Sequence, residues 1–145
     1  MNVTLASLAR RTGLTVLDHL EQSVTVPVVD GLQAQGDLIV IPLPVISASI
    51  QVWTGARWRD VPAGGVELLR GEAGGNPHTL VADPGACRWT DNVYDADALA
   101  IGLFETSAAA YLLHPEHGAT GCVPGTYVIR RQREQEGRRS RMVAD

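Results

Sequence analysis

The chain has no lysine; all 12 of its basic residues are arginine. Aromatic residues make up only 5% of it, with one Phe, which leaves few platforms for stacking nucleic-acid bases. No apolar run approaches the ~18 residues that a membrane-spanning helix needs. There are two cysteines, Cys87 and Cys122, and neither belongs to a C-x-x-C pair. That excludes a four-cysteine zinc ribbon and a thioredoxin-type redox motif, and it predicts two idle thiols in a reducing compartment. Walker loop, Rossmann fingerprint, H-E-x-x-H and Ser-His-Asp spacing are all missing, so the common motif-borne chemistries are not signalled. The first residues, MNVTLASLARRTG, place arginines after a weak apolar patch. A secretory signal has the opposite order, so the expected location is cytoplasmic.

What is present suits a small globular protein. A length of 145 residues, 45% hydrophobic and 19% charged, is enough to bury a core without disulfide or metal staples. The 15 glycines and 8 prolines are spread along the middle, which favours many turns and short strands. Charge is uneven. Residues 1–129 carry 6 Arg against 13 acids, whereas residues 130–145 carry 6 Arg against 3 acids. The acidic body would repel phosphate, so the basic tail is read as pairing with it and nucleic acid is not an expected partner.

Residues 4–22 read as helical. Thr4 is placed to cap the helix, Leu5, Leu8 and Ala9 form its apolar stripe, and Gly13 ends or kinks it. His19 falls among charged neighbours and reads as a surface residue. From Val24 onward the pattern is β. Gly36-Asp37 is a turn before a buried strand, Leu38 to Ile41, closed by Pro42 and Pro44. Gly55 predicts a hairpin between Ile50–Trp53 and Trp58–Val61. VELLRGE, HTLVA, ALAIGLF, AAAYLL and TYVIRRQRE are further strands. Breaks recur about every 8–12 residues, as in a sandwich or small barrel. The expected fold is therefore mainly β: a small β-barrel, β-roll or sandwich. A helical extension at 1–23 precedes a β-rich domain at 24–145 that ends in an Arg-rich tail.

The candidate site lies in two Pro-bearing segments, NPH and HPEH. Residues three apart on a flat strand point to opposite faces. A Pro at the second position of a four-residue turn instead brings the first and last Cα atoms within about 7 Å. His114 and His117 can then face one point. Asn76-Pro77-His78 reads as a second such turn. If the two segments meet, His78, His114 and His117 suit zinc or another divalent first-row metal with an open fourth position. Glu116 or Glu72 would be the catalytic candidate that activates a metal-bound water. Arg131 and Arg133 are the candidates for an anionic ligand. Their structural alternative is cross-strand ion pairing that fixes register.

Taken in order, QGDLIVIP, VELLRGEAGGNPHTL, LLHPEHG and PGTYVIRRQRE, followed by RRSRMVAD, resemble a family of small bacterial and phage proteins without an assigned activity. Its members read Q-G-D-V-hydrophobic-hydrophobic-P, then G-E-A-T-G-H-A-H, H-E-E-H, L-P-x-G-x-Y-x-V-x-x-Q-R-E-Y and a basic stretch ending V-x-D. The resemblance covers about residues 35–145. It places the family's histidine pair on Asn76 and His78, and its H-x-x-H on His114 and His117. Asn76 therefore stands where the family has histidine, and a side-chain amide is a poorer zinc ligand than imidazole. Gln135 replaces the final aromatic.

These residues predict a small β-rich binding module with a His-lined metal or ligand pocket, which Asn76 also lines. The alternatives are a metal-dependent hydrolase-like enzyme, or a phage-type assembly protein that acts through contacts with its own copies or a protein partner.

Overall fold

The computed structural model describes residues 3–14, 16, 20, 23–70, 77–136 and 139–142, excluding the side chains of residues 69, 70, 133–136 and 139–142. Helix α1 spans Leu5–Thr12. Thr4 and Ser7 cap each other, with Ser7 N donating to Thr4 Oγ1 at 3.1 Å. Gly13 ends the helix by donating its N–H to Ala9 O. The helix is thus shorter than the 4–22 predicted, and the described residues after it, 14, 16 and 20, are not helical.

The strands that follow are β1 (Val28–Val29), β2 (Gln33–Gln35) and β3 (Leu38–Pro42). A short helix α2 (Leu43–Ile46) and a 3-10 turn (Ser47–Ser49) lead into β4 (Ile50–Val52). Next come β5 (Arg59–Asp60), β6 (Val66–Arg70), β7 (Pro77–Ala82), β8 (Cys87–Thr90) and β9 (Val93–Asp95). The chain closes with β10 (Ala100–Thr106), β11 (Ala110–His114), β12 (Gly118–Cys122), β13 (Gly125–Arg131), β14 (Arg133–Glu136) and β15 (Arg139–Met142).

Two sheets form the body. One has the order β1-β12-β11-β7-β6 and the other β2-β3-β13-β10-β8-β5. Both keep open edges, so among the described residues the fold is a sandwich and not a closed barrel. The expectation of a mainly β fold with a short N-terminal helix holds.

Alternation along the strands sorts the core into two layers. Leu80, Ala82, Ala110 and Leu112 point inward and meet Leu38, Val40, Trp89, Phe104, Tyr127 and Ile129 of the facing sheet. Val81, Tyr111 and Leu113 point the other way and meet Leu5, Leu8 and Val16. Sheet β1-β12-β11-β7-β6 is therefore apolar on both faces because α1 covers its outer side. That is why AYLLH is buried at every position and shows no polar alternation. At Gly102 the two strands close tightly: a Cβ there would collide with the Trp89 ring and lie 2.6 Å from Thr90 O. Only glycine fits beneath that indole.

One predicted pairing is corrected. Ala56 N does bond Trp53 O at 3.0 Å, so the turn at Gly55 exists. The flanking strands part company, however: β4 pairs with β9 and β5 pairs with β8. A turn sets the local reversal, whereas the partner strand is chosen by burial. In the tail, β14 and β15 form a separate ribbon whose register sets Glu134 opposite Arg141 and Glu136 opposite Arg139.

Candidate functional site

The β7–β11 register runs from Ala110↔Ala82 through Leu113↔Thr79. Extended by one residue, it sets His114 beside His78 on the inward face. Both are buried, at 1% and 0% exposure, and their ring centroids lie 4.4 Å apart. His78 is thus carried by a strand, not by the turn expected at Asn76-Pro77-His78; Pro77 opens β7, a position that needs no ladder donor.

The HPEH segment does form a turn. His114 pairs with Gly118 across the β11–β12 hairpin, and three residues loop between them. Gly118 takes φ +81°, the left-handed conformation that such a hairpin requires. The backbone N–H groups of Glu116 and His117 both donate to His114 Nδ1, at 3.0 and 3.2 Å. His117 is exposed, and its ring lies 4.4 Å from that of His114 and 6.2 Å from that of His78. The three imidazoles thus form a bent cluster, with the His114 ring tilted by 41° to His78 and by 36° to His117.

The facing sheet supplies partners that sequence reasoning missed. Gln35 and Asp37 flank the β2–β3 turn and are 5% and 4% exposed. Gln35 Nε2 donates to Leu112 O at 3.0 Å, which fixes the amide so that Oε1 faces His78 Nδ1 at 2.9 Å. His78 Nε2 lies 3.1 Å from Asp37 Oδ1. Gln132 grips the same turn, donating its Nε2 to Gly36 O at 3.0 Å and its backbone N–H to Asp37 O at 2.8 Å. The Q-G-D and Q-R-E segments therefore meet one another and the histidines at one end of the sandwich. The signal that could have found them is the repeated pairing of a glutamine with each motif; read along the chain, Gly36-Asp37 is only a turn.

Proton placement follows from these partners. His78 Nδ1 must carry hydrogen because Gln35 presents an acceptor. His114 Nδ1 must lack one because two amides donate to it. Neutral His114 then carries its proton on Nε2.

Glu116 is exposed beside His117. Arg131 is exposed, and its backbone N–H donates to Leu99 O at 3.0 Å. Glu72 and Asn76, and the side chain of Arg133, lie outside the described residues, as does His19. Among the described residues no three His, Cys, Asp or Glu groups are gathered closely enough to enclose a metal ion.

His117 also forms one wall of a cleft of about 200 Å³, otherwise lined by Leu5, Leu20, Val24, Val26, Gly118 and Ala119. A larger hollow of about 350 Å³ lies at the opposite end of the strands, around Arg88, Glu105 and Thr126. Several of its polar groups are engaged: Arg88 bonds Glu105, Thr106 bonds Ala108 O and Ser107 bonds Ala86 O. Cys87 and Cys122 are buried free thiols. Burial pushes them up to about 11 and about 12, respectively, so neither is a nucleophile near neutral pH.

A two-sheet sandwich with a histidine-lined end is thus the class of protein the fold defines. The chain belongs to the family described as Domain of unknown function (DUF8820), whose model matches residues 34–132. That span runs from the strand bearing Gln35 to Gln132 and holds every residue of the histidine corner, whereas α1 and the tail lie outside it. No curated protein matches the chain, and no solved structure does. No described helix is long and apolar enough to cross a membrane.

Proposed function

We propose that this chain is a small β-rich binding module whose ligand pocket is the cleft beside His117. The observation that carries this reading is the contrast within the cleft: one imidazole among Leu5, Leu20, Val24, Val26 and Ala119. Such a lining takes a small molecule with an apolar body and a single hydrogen-bonding group. The His114 ring packs against His117 and orients it. Hexanoate, hexanamide and hexanol are suitable probes. Binding of at least one should shift the amide resonances of Gly118 and Ala119, and Val26→Trp, which fills the cleft, should abolish the shift. If none of the three moves those resonances at millimolar concentration, the reading is wrong.

A second reading, assembly through subunit contacts, is favoured by one feature. Trp53 and Tyr94 are 56% and 58% exposed. Gln51 is the register partner of Tyr94, so Trp53, two residues on, shares that face of the β4–β9 ribbon. A concentration-dependent dimer that dissociates in Trp53→Ser would support this reading, and a monomer at millimolar concentration would remove it.

A further inference from the structure

We propose that α1 and residues 24–26 dock on the body as a separate unit, and that the occupant of the cleft beside His117 controls that docking. The inference rests on the reading of that cleft as the ligand pocket.

The backbone bonds of this unit close within it. Thr4 bridges Thr25. Leu5 N–H donates to Val24 O at 3.0 Å, and Val26 N–H donates to Val3 O at 2.6 Å. The helix is capped by its own Thr4 and Ser7. Ladder bonding to the sheet begins at Pro27, whose carbonyl accepts from Gly121 N–H at 2.7 Å, and continues as Val28 pairs with Gly121.

Side-chain contact holds the unit down. Leu5, Leu8 and Val26 pack with Val81, Tyr111 and Leu113. Arg11 reaches Asp83 in a pair whose side chains are 41% and 64% exposed, and so exposed a pair contributes little. Apolar packing is non-directional, so the unit can leave the sheet without breaking a ladder. The matched family span, 34–132, also leaves the unit out. A segment with its own backbone bonds and one packed face can open as a cooperative piece ahead of the whole molecule. Once off the sheet, a helix of 8 residues does not hold, so undocking exposes its amides.

The cleft sits on the seam between the unit and the body. Leu5, Val24 and Val26 line it from one side, and His117, Gly118 and Ala119 line it from the other. A molecule that touches both walls binds the docked state and loses its site when the walls part. Its differential affinity therefore favours docking, and by linkage docking favours its binding. The output is an apolar surface. Undocking bares Val81, Tyr111 and Leu113, which are 0%, 7% and 1% exposed when covered. The ligand thus governs whether that sheet face is covered.

Native-state amide hydrogen exchange of the full chain, read by NMR, tests this. Without a probe, the Leu5 and Leu8 amides should exchange at least roughly tenfold faster than the most protected amides of β11 and β13. Their exchange should also rise less steeply with urea, because a smaller surface opens. The probe is whichever of hexanoate, hexanamide and hexanol shifts Gly118 and Ala119. At about ten times its Kd, it should slow the Leu5 and Leu8 amides about elevenfold. Trypsin cleavage after Arg10 and Arg11, both exposed on α1, should slow by the same factor when reclosing outpaces cleavage. Equal exchange of α1 and β11 without a probe would show that they open together, which overturns the separate unit. A probe that shifts Gly118 and Ala119 but leaves α1 exchange unchanged overturns the coupling alone. If no probe shifts those resonances, the cleft reading falls and the coupling falls with it, so the failures are separable.

Discussion

The sandwich buries two polar clusters, and they are built in opposite ways. On the outer side of β13, Arg130 donates to Asp95 Oδ1 at 2.7 Å and to Asp97 Oδ2 at 3.3 Å. Asp95 also receives the N–H groups of Asp97 and Leu99, at 2.9 and 3.2 Å. The carboxylate is surrounded by donors, and the loop they stabilise holds Ala98 at φ +56°. In the histidine corner the carboxylate of Asp37 instead meets one nitrogen of the His78 ring, whose other nitrogen is held by Gln35 Oε1. The first cluster is organised around an arginine–carboxylate pair and belongs to structure. The second ties the two sheets together through one buried imidazole, and so is the place to look for function.

The largest expected effect breaks the first cluster. Arg130→Ala leaves Asp95 buried without its cation and should cost about 3–5 kcal/mol of unfolding free energy in urea. A loss under ~1 kcal/mol, the range of an exposed pair, would mean that this cluster is not the ion pair described.

A second measurement sets the pH range in which the two clusters are comparable. Folded Cys87 and Cys122 titrate near 11 and 12 because burial penalises the thiolate, whereas unfolded thiols titrate near 8.5. Their folded values are raised, so their contribution is complete below the unfolded value. It is lost as pH climbs toward 11–12, where the unfolded chain has given up protons that the native one retains. Stability should fall over that window, each thiol contributing at most about 1.4 kcal/mol per pH unit, and Cys122→Ala should flatten the fall. An unchanged slope in that variant would contradict the burial argument.

The smallest effect calibrates both. Arg11 and Asp83 pair at 2.9 Å, but their side chains are 41% and 64% exposed. Arg11→Ala should change stability by less than about 0.5 kcal/mol. A larger loss would show that α1 depends on this bridge as well as on Leu5 and Leu8.

Local chemistry is legible in the sequence, and long-range choice is not. Thr4 as cap, Gly13 as helix end, the Gly36-Asp37 turn and the HPEH turn all follow from backbone preferences that act over about four residues. The approach of His78 to His114 can be posed as a question from the sequence but not answered, because it depends on the pairing of β7 with β11. Strands β8, β9 and β12 escape notice: CRWT and VYD are short, and GATGC carries two glycines that hide its register. Gln35 is invisible as a site residue. Its role comes from reaching across to Leu112 O in the other sheet, and no spacing along the chain encodes that. The same holds for Arg130 and Asp95, 35 positions apart.

Strand pairing has one last consequence. Neighbouring positions on β7 face opposite ways, so sliding this strand by a single residue would send His78 outward and bring Thr79 in its place. Alignment between β7 and β11 is therefore a specification of chemistry as much as of shape. An engineer who wished to rebuild this end of the molecule could alter side chains freely, but could not shift that seam without erasing the corner.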